Sequence, residues 1–361
     1  MDIIVKYIDE LLEKSTPEAP MWNIEKIRQG LKSNWNYIDG VMIKAVLQMY
    51  DVTKDEKYLK FADNFIDYRV HEDGTIDGYN IGEKNIDNVN AGKTLFELYD
   101  LTGKEKYRKA IDLVYSQIEI MPRCNNEARS FWHKDIYPNQ VWLDGLYMGL
   151  PFYLEYETRY NDRKNYSDIF GQFKFVIENM RNPINGLYFH AMDTSREAFW
   201  CDKVTGLSQH SWLRAIGWYT MALIDTLDQV DNKDHKYDAE CKMLEDAFKD
   251  LVDSMLKYQD ESGMWYQVVN YGGMDKNYLE TSGSSIMAYA LLKAVRLGYL
   301  SDDYAQYAKK AIDGICERYL KTKEDGSLSL GGICLVAGLG GNGRRSGTYD
   351  YYTSEPIVED D

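Results

Sequence analysis

Apolar and polar positions along this chain recur mostly with the period of a helix. The stretch NQVWLDGLYMGLPFYLEY, residues 139–156, carries apolar residues on nearly every side and predicts a buried helix. One acid, Asp144, lies near its start between Leu143 and Gly145, with Trp142, Leu146, Tyr147 and Met148 around it. Burying an unpaired carboxylate is costly, so this position calls for a functional reason. Elsewhere the helices are amphipathic, and a short pattern marks where one ends and the next begins. LQMYDVTKDEKYLKFADNFI (47–66) and LFELYDLTGKEKYRKAIDLV (95–114) share Y-D-x-T-x-x-x-K-Y, and looser copies follow at 154–173, 227–244 and 294–312. Each copy reads as a helix end, a polar turn with stop and N-cap residues, and a helix start.

Strand-like alternation is scarce, and its best short candidates are GLYFHAM (186–192) and GMWYQVV (263–269). The pattern therefore predicts an all-α protein of helical hairpins. Spacing this irregular argues against an open solenoid of equivalent units. An (α/α)6 barrel buries every inner helix and needs no capping repeat. No composition shift marks a boundary, so a single catalytic domain over residues 1–361 is expected. In such a barrel the helices that enter each repeated turn are the inner ones, run parallel and start at one mouth. Those starts lie near WNYIDG (35–40), NIDNVNAGK (85–93), NQVWLDG (139–145), SQHSWLRAIGW (208–218) and ETSGSS (280–285), all rich in polar, aromatic and glycine residues.

Composition narrows the chemistry. Tyr (30) and Trp (8) supply an excess of polar-tipped rings, which suits either sugar stacking or helix–helix seams. A net charge of −16 argues against nucleic acid and anionic membrane surfaces, and leaves a small anionic substrate open if a local basic patch exists. Five cysteines (Cys124, Cys201, Cys241, Cys316, Cys334) without a C-x-x-C fit a reducing compartment and no structural zinc. The first residues, MDIIVKYIDELLEKSTPE, lack the basic and apolar regions of a signal peptide. A cytoplasmic monomer without cofactor or metal is the expectation.

Asp144 and Asp87 are the two candidate acids at the predicted mouth. Asp87, in NIDNVNAGK, reads equally as a helix N-cap. Two nearby carboxylates in an apolar mouth repel each other's charge, which with desolvation keeps one protonated for general-acid work. His133 and Lys134 precede the Asp144 helix in FWHKDIYPNQ, and His190 lies in GLYFHAMD. Either histidine reads also as a structural hydrogen bonder. Arg214, between Trp212 and Trp218, suits an acid partner or the carboxylate of a stacked sugar. No histidine pair has zinc-ligand spacing. GLGGNGRRSG (338–347) reads as a loop in which Arg344 and Arg345 are further substrate contacts.

FWHKDIYPNQVWLDGLYMG, WLRAIGWY, GMWYQVV, YLETSGSS and LVAGLGG with YYTSEPIVE, in this order, together resemble the unsaturated rhamnogalacturonyl hydrolases of glycoside hydrolase family 105. The resemblance runs from about residue 33 to 358; the chain ends at Asp361, where family members tend to run on a little. It implies an (α/α)6 barrel and a lyase-generated short oligosaccharide ending in a 4,5-unsaturated uronic acid, and the expected activity is release of unsaturated galacturonic acid from rhamnogalacturonan disaccharides. Its catalytic acid falls on Asp144 and its second acid on Asp87. Its substrate contacts fall on Tyr37, His133, Lys134, Trp142, His190, Arg214 and Trp218. The implied reaction protonates C4 of an enol ether and hydrates C5, unlike ordinary glycoside hydrolysis. Alternatives are an unsaturated glucuronyl hydrolase on glycosaminoglycan or ulvan fragments, a glycosidase or sugar epimerase acting on saturated sugars, and a non-catalytic sugar-binding protein. Fold alone does not choose among them.

Overall fold

Each repeated turn closes through the side chains of its own motif. The computed structural model describes residues 2–359. Its first helices are α1 (Asp2–Lys14), α2 (Ile24–Arg28), α3 (Tyr37–Thr53), α4 (Glu56–Asp67), α5 (Lys93–Thr102) and α6 (Glu105–Ile120). The motif forms the α3–α4 and α5–α6 turns. Thr53 and Thr102 each donate back to the carbonyl four residues earlier, at 2.6 Å in both cases. The same hydroxyls accept the N–H of Asp55 and Lys104, at 3.2 and 3.3 Å. Lys54 and Gly103 leave their helices in the left-handed region, φ 57° and 66°, the usual helix exit. Tyr50 and Tyr99 donate across the turn to Glu56 and Glu105. The motif's last tyrosines, Tyr58 and Tyr107, are buried and donate to Asp9 and Asp63.

Residues 2–122, with Lys323–Leu328, form one compact unit, and Arg123–Thr322 with residues 329–359 form a second. In the first, a 3-10 helix at Ile86–Gly92 leads into α5, which runs parallel to α3. Gly40 abuts Ala91, and one turn further on Lys44 Nζ meets Glu97 Oε2 at 2.5 Å. Trp35 Nε1 donates to the Asn88 carbonyl (2.8 Å) and Asn90 Nδ2 to that of Tyr37 (3.0 Å). Segments 35–40 and 85–93 are thereby stitched side by side. Asp39 is buried at the start of α3 and accepts from Trp22 Nε1 (2.9 Å), Asn36 Nδ2 (3.0 Å) and Ser33 Oγ (3.3 Å). Burial pushes its carboxyl up to about 6, against the pull of those donors and of Arg69.

The second unit holds strand β1 (Gln140–Trp142), α7 (Leu143–Tyr160), α8 (Tyr166–Asn179), strand β2 (Ala191–Asp193), α9 (Leu213–Gln229), α10 (Asp238–Leu256), α11 (Thr281–Leu297), α12 (Ala305–Tyr319) and α13 (Tyr349–Ser354). α9 buries every residue from Leu213 to Leu227. By contrast, α10 and α12 bury one face. At the start of α9, Arg214 Nε donates to Ser282 Oγ at the start of α11 (2.8 Å). Three turns along both helices, Lys293 Nζ reaches Asp225 (2.9 Å). The two helices therefore run parallel, as expected of inner helices.

Three local expectations are revised. The helix expected from residue 139 begins at Leu143, because Gln140–Trp142 is extended and paired with β2. Asn139, left-handed at φ 61°, turns the chain into that strand. Of GLYFHAM, only Ala191 and Met192 enter β2, and GMWYQVV makes only isolated bridges, Trp212 to Val268 and Tyr266 to Leu279. Among the described residues no helix is long and apolar enough to cross a membrane.

A Cβ on Gly40 would lie 2.6 Å from the Ala91 Cα, backbone that cannot yield cheaply. Gly40→Ala should cost about 1–3 kcal/mol in urea unfolding; an unchanged midpoint would show that α3 moves off Ala91 freely. Asp39 supplies a pH signature. Its carboxyl is raised on folding from 3.8 to about 6, so its stabilising contribution is full below the lower value and lost as pH rises through the upper one. From pH 8 to pH 4 the stability difference between wild type and Asp39→Asn should move about 2 kcal/mol in favour of wild type. A flat difference over that range would contradict the shift.

Candidate active site

The β1–β2 ribbon decides where Asp144 sits. Trp142 pairs with Ala191, and the Leu143 N–H donates to the His190 carbonyl at 3.1 Å. Asp144 follows the ribbon on one side, in the first turn of α7, and His190 precedes it on the other. This register brings Asp144 Oδ2 to 3.3 Å from His190 Nε2. Both atoms are buried. They face each other without the alignment of a hydrogen bond, and neither has a hydrogen-bond partner elsewhere among the described residues. The Asp144 side chain is 13 % exposed and that of His190 0 %. Oδ2 is thus at the back, and the rest of the carboxyl faces outward.

His190 is gripped from behind. Its Nδ1 lies 2.7 Å from Tyr352 Oη, on α13. Tyr352 is fully buried, its ring stacks on Trp212 (5.9 Å, 19°), and its carbonyl accepts from Gln267 Nε2 (3.1 Å). Burial holds its phenol well above the usual value, so it stays neutral. Trp212 (4.8 Å) and Trp142 (5.1 Å) wall the imidazole. The outer face of this wall is aromatic. Trp142 stacks with His133 (4.3 Å, 8°) and Tyr137 (5.3 Å, 14°). One turn beyond Asp144, Tyr147 stacks on Trp218 (5.2 Å, 15°). Flat rings beside an outward carboxyl form a surface suited to a sugar and its acid chemistry.

Arg214 is more deeply engaged than its sequence context suggests. It is buried, donates to Ser282 Oγ and to the carbonyls of Cys334 and Leu335, and lies 3.5 Å from Glu280 Oε1. Glu280 is wholly buried and caps α11, accepting from the N–H groups of Ser282 (3.1 Å), Gly283 (2.7 Å) and Cys334 (3.0 Å). A Cβ on Gly283 would lie 2.4 Å from Leu213 Cγ, so glycine is what lets α11 close on α9 here. Arg214 is therefore a clasp between two inner helices and the 334–335 segment. Trp212, 5.5 Å from its guanidinium, links the clasp to His190.

Lys134 sits half-buried in a tight turn, its carbonyl accepting the Tyr137 N–H (2.9 Å). Of the two loop arginines, Arg344 is exposed, whereas Arg345 is half-buried and pairs by backbone with Gly340. A Cβ on Gly338 would meet Arg345 Nη1 at 3.0 Å and the Trp142 ring at 3.5 Å, so guanidinium and indole flank one spot. Tyr37 and Asp87 belong to the first unit. Tyr37 opens α3, and Asp87 lies within the 3-10 helix that Asn85 caps by accepting the Asp87 N–H (3.1 Å). The capping role read for Asp87 thus belongs to Asn85. The other expected site residues lie in the second unit, where Asp144, His190, Trp142 and His133 form one packed group. Tyr352, Glu280 and Trp212 were not singled out as site residues by the sequence. Among the described residues no group of three or more His, Cys, Asp or Glu gathers as a metal site.

The family model of Glycosyl Hydrolase Family 88 matches residues 8–361. Protein Atu3128 of Agrobacterium fabrum (strain C58 / ATCC 33970) is 39 % identical over 220 residues, covering 59 % of this chain and 92 % of that protein. The unsaturated rhamnogalacturonyl hydrolase YesR of Bacillus subtilis (strain 168) is 25 % identical over 300 residues, 82 % of this chain and 78 % of that protein. A solved glycoside hydrolase from family 105 of C. acetobutylicum ATCC 824 is 43 % identical, with a TM-score of 0.87 over 98 % of this chain and 94 % of its own. The unsaturated glucuronyl hydrolase from Bacillus sp. GL1 shares the fold, with a TM-score of 0.63 and 14 % identity over 84 % of this chain and 80 % of that one. The fold class is accordingly all-α, the (α/α)6 barrel of these relatives. With its motifs in order and a family-105 relative matching nearly its whole length, the chain is a glycoside hydrolase that belongs to Glycosyl Hydrolase Family 88.

Proposed function

We propose that the enzyme releases a terminal 4,5-unsaturated galacturonic acid from rhamnogalacturonan-derived disaccharides, with Asp144 as the acid. The observation that carries this reading is the Asp144 carboxyl, one oxygen turned onto buried His190 and the rest outward among aromatic rings. Such a group is placed to give a proton to C4 of the enol ether. Positive charge then develops at C5 and the ring oxygen. Water adds at C5 and gives its proton to the Asp144 carboxylate. The C5 hemiketal opens to the ketone, and the C1 hemiacetal so formed expels the second sugar as its alcohol. One water is consumed and Asp144 ends protonated, ready for the next turnover. Trp142 and Trp218 would stack on the sugar faces. Lys134 and Arg345 would meet the carboxylate, and Arg214 would hold the pocket's rear wall. Asp87 enters as the second acid through the family resemblance of NIDN. The choice of galacturonyl-rhamnose is supported by the motif set and by the name of the Bacillus subtilis relative.

The substrate's conjugated enol ether absorbs in the ultraviolet, and hydration destroys it. The wild type should bleach an unsaturated galacturonyl-rhamnose disaccharide. Asp144→Asn should fold normally and lose about 10³-fold or more in kcat, the scale of general acid–base help. Asp144→Asn retaining near wild-type kcat would overturn the mechanism. Bleaching of unsaturated glucuronyl disaccharides alone would overturn the substrate and keep the chemistry.

A further inference from the structure

A carboxylic acid has one proton and two oxygens, and only one Asp144 oxygen is turned toward the open side. A proton on Oδ2 would point into His190 and be of no use to a substrate. The tautomer of His190 decides which oxygen carries it. Neutral imidazole has one N–H. If that hydrogen is on Nε2, it lies on the side of Asp144 Oδ2, 3.3 Å from the nitrogen, and the acid's own proton stays on the outward oxygen. If it is on Nδ1, the bare Nε2 draws the Asp144 proton onto Oδ2.

The residue behind His190 makes this choice. Tyr352 Oη lies 2.7 Å from Nδ1, and that nitrogen is its hydrogen-bond partner. A phenol is a far better donor than an imidazole N–H, and an imidazole nitrogen a far better acceptor than a phenol oxygen. The O–H therefore donates to Nδ1, and the imidazole hydrogen is left on Nε2. We propose that Tyr352 is a positioning residue that holds His190 as its Nε2–H tautomer, and so keeps the Asp144 proton on the oxygen that faces substrate. The proposal rests on Asp144 being the acid of the reading above. The same N–H faces Asp144 Oδ2 once the proton has left, and steadies the carboxylate until water returns one. The 3.3 Å gap suits this role, since catalytic hydrogen bonds tighten when substrate arrives. The grip is rigid because Tyr352 is buried against Trp212, and α13 is tied to the unit by Gln267.

Two measurements test it. Nitrogen NMR of the histidine-labelled wild type, with His190 assigned by the signal lost in His190→Asn, should show a protonated Nε2 and a bare Nδ1. In Tyr352→Phe, which keeps the ring on Trp212, the two tautomers should mix. That variant should lose about 10-fold or more in kcat, with KM within about 2-fold. A wild-type His190 protonated on Nδ1 would overturn the proposal, and so would an unchanged tautomer or an unchanged kcat in Tyr352→Phe. The NMR result needs no turnover, so it stands apart from any failure of the substrate assignment.

Discussion

The site depends first on the register of a three-residue ribbon. A slip of one residue in a strand pair sends every side chain to the opposite face. Here the pairing of Trp142 with Ala191 is what sets Asp144 beside His190, two residues close in space but far apart in sequence. The ribbon is too short to hold itself. It is held by what packs on it: Trp142 and Ala191 belong to a buried cluster with Trp200, Cys201 and Leu339. The helices give rigidity, the ribbon gives aim, and Tyr352 closes the back.

A second constraint is the buried clasp at the starts of α9 and α11. Arg214 and Glu280 are both shielded from water, and each is satisfied by groups around it, so the pair is tolerable in the interior. Removing one partner of such a pair leaves an uncompensated charge and costs on the order of 3–5 kcal/mol. The clasp, the Lys293 and Asp225 pair three turns away, and the glycine at 283 together lock the two inner helices in parallel. An aromatic wall mounted on such helices loses little entropy when a sugar settles against it.

Much of this was legible in the residues. The Y-D-x-T pattern announced the hairpins because its threonine, tyrosine and following acid make the turn's own hydrogen bonds, which depend on local sequence alone. Asp144 stood out because a carboxylate inside an apolar run has few structural uses. What stayed hidden depends on distant pairing. Gln140–Trp142 reads as the beginning of a helix until β2 is brought to it. Tyr352 lies in the YYTSEPIVE motif, but nothing local marks its role, since its meaning is a nitrogen 162 positions earlier. Glu280 looks like an ordinary helix-start acid, and only the fold shows it reaching Arg214 and the Cys334 N–H as well. Asp87 read equally as a helix cap in the sequence, and the fold gives that role to Asn85 two residues earlier.

The measurement that bears most directly on the central claim is the fate of the hydrogen at C4. The enzyme should be given the unsaturated galacturonyl-rhamnose disaccharide in D2O, and the first-formed product read by proton NMR. With Asp144 as the acid, the vinylic signal at C4 should be lost and one deuteron delivered there to a single face, the face that Asp144 meets. Release of rhamnose with an unsaturated uronic acid that still carries its vinylic proton would mean that the glycosidic bond is cut directly, and would contradict it.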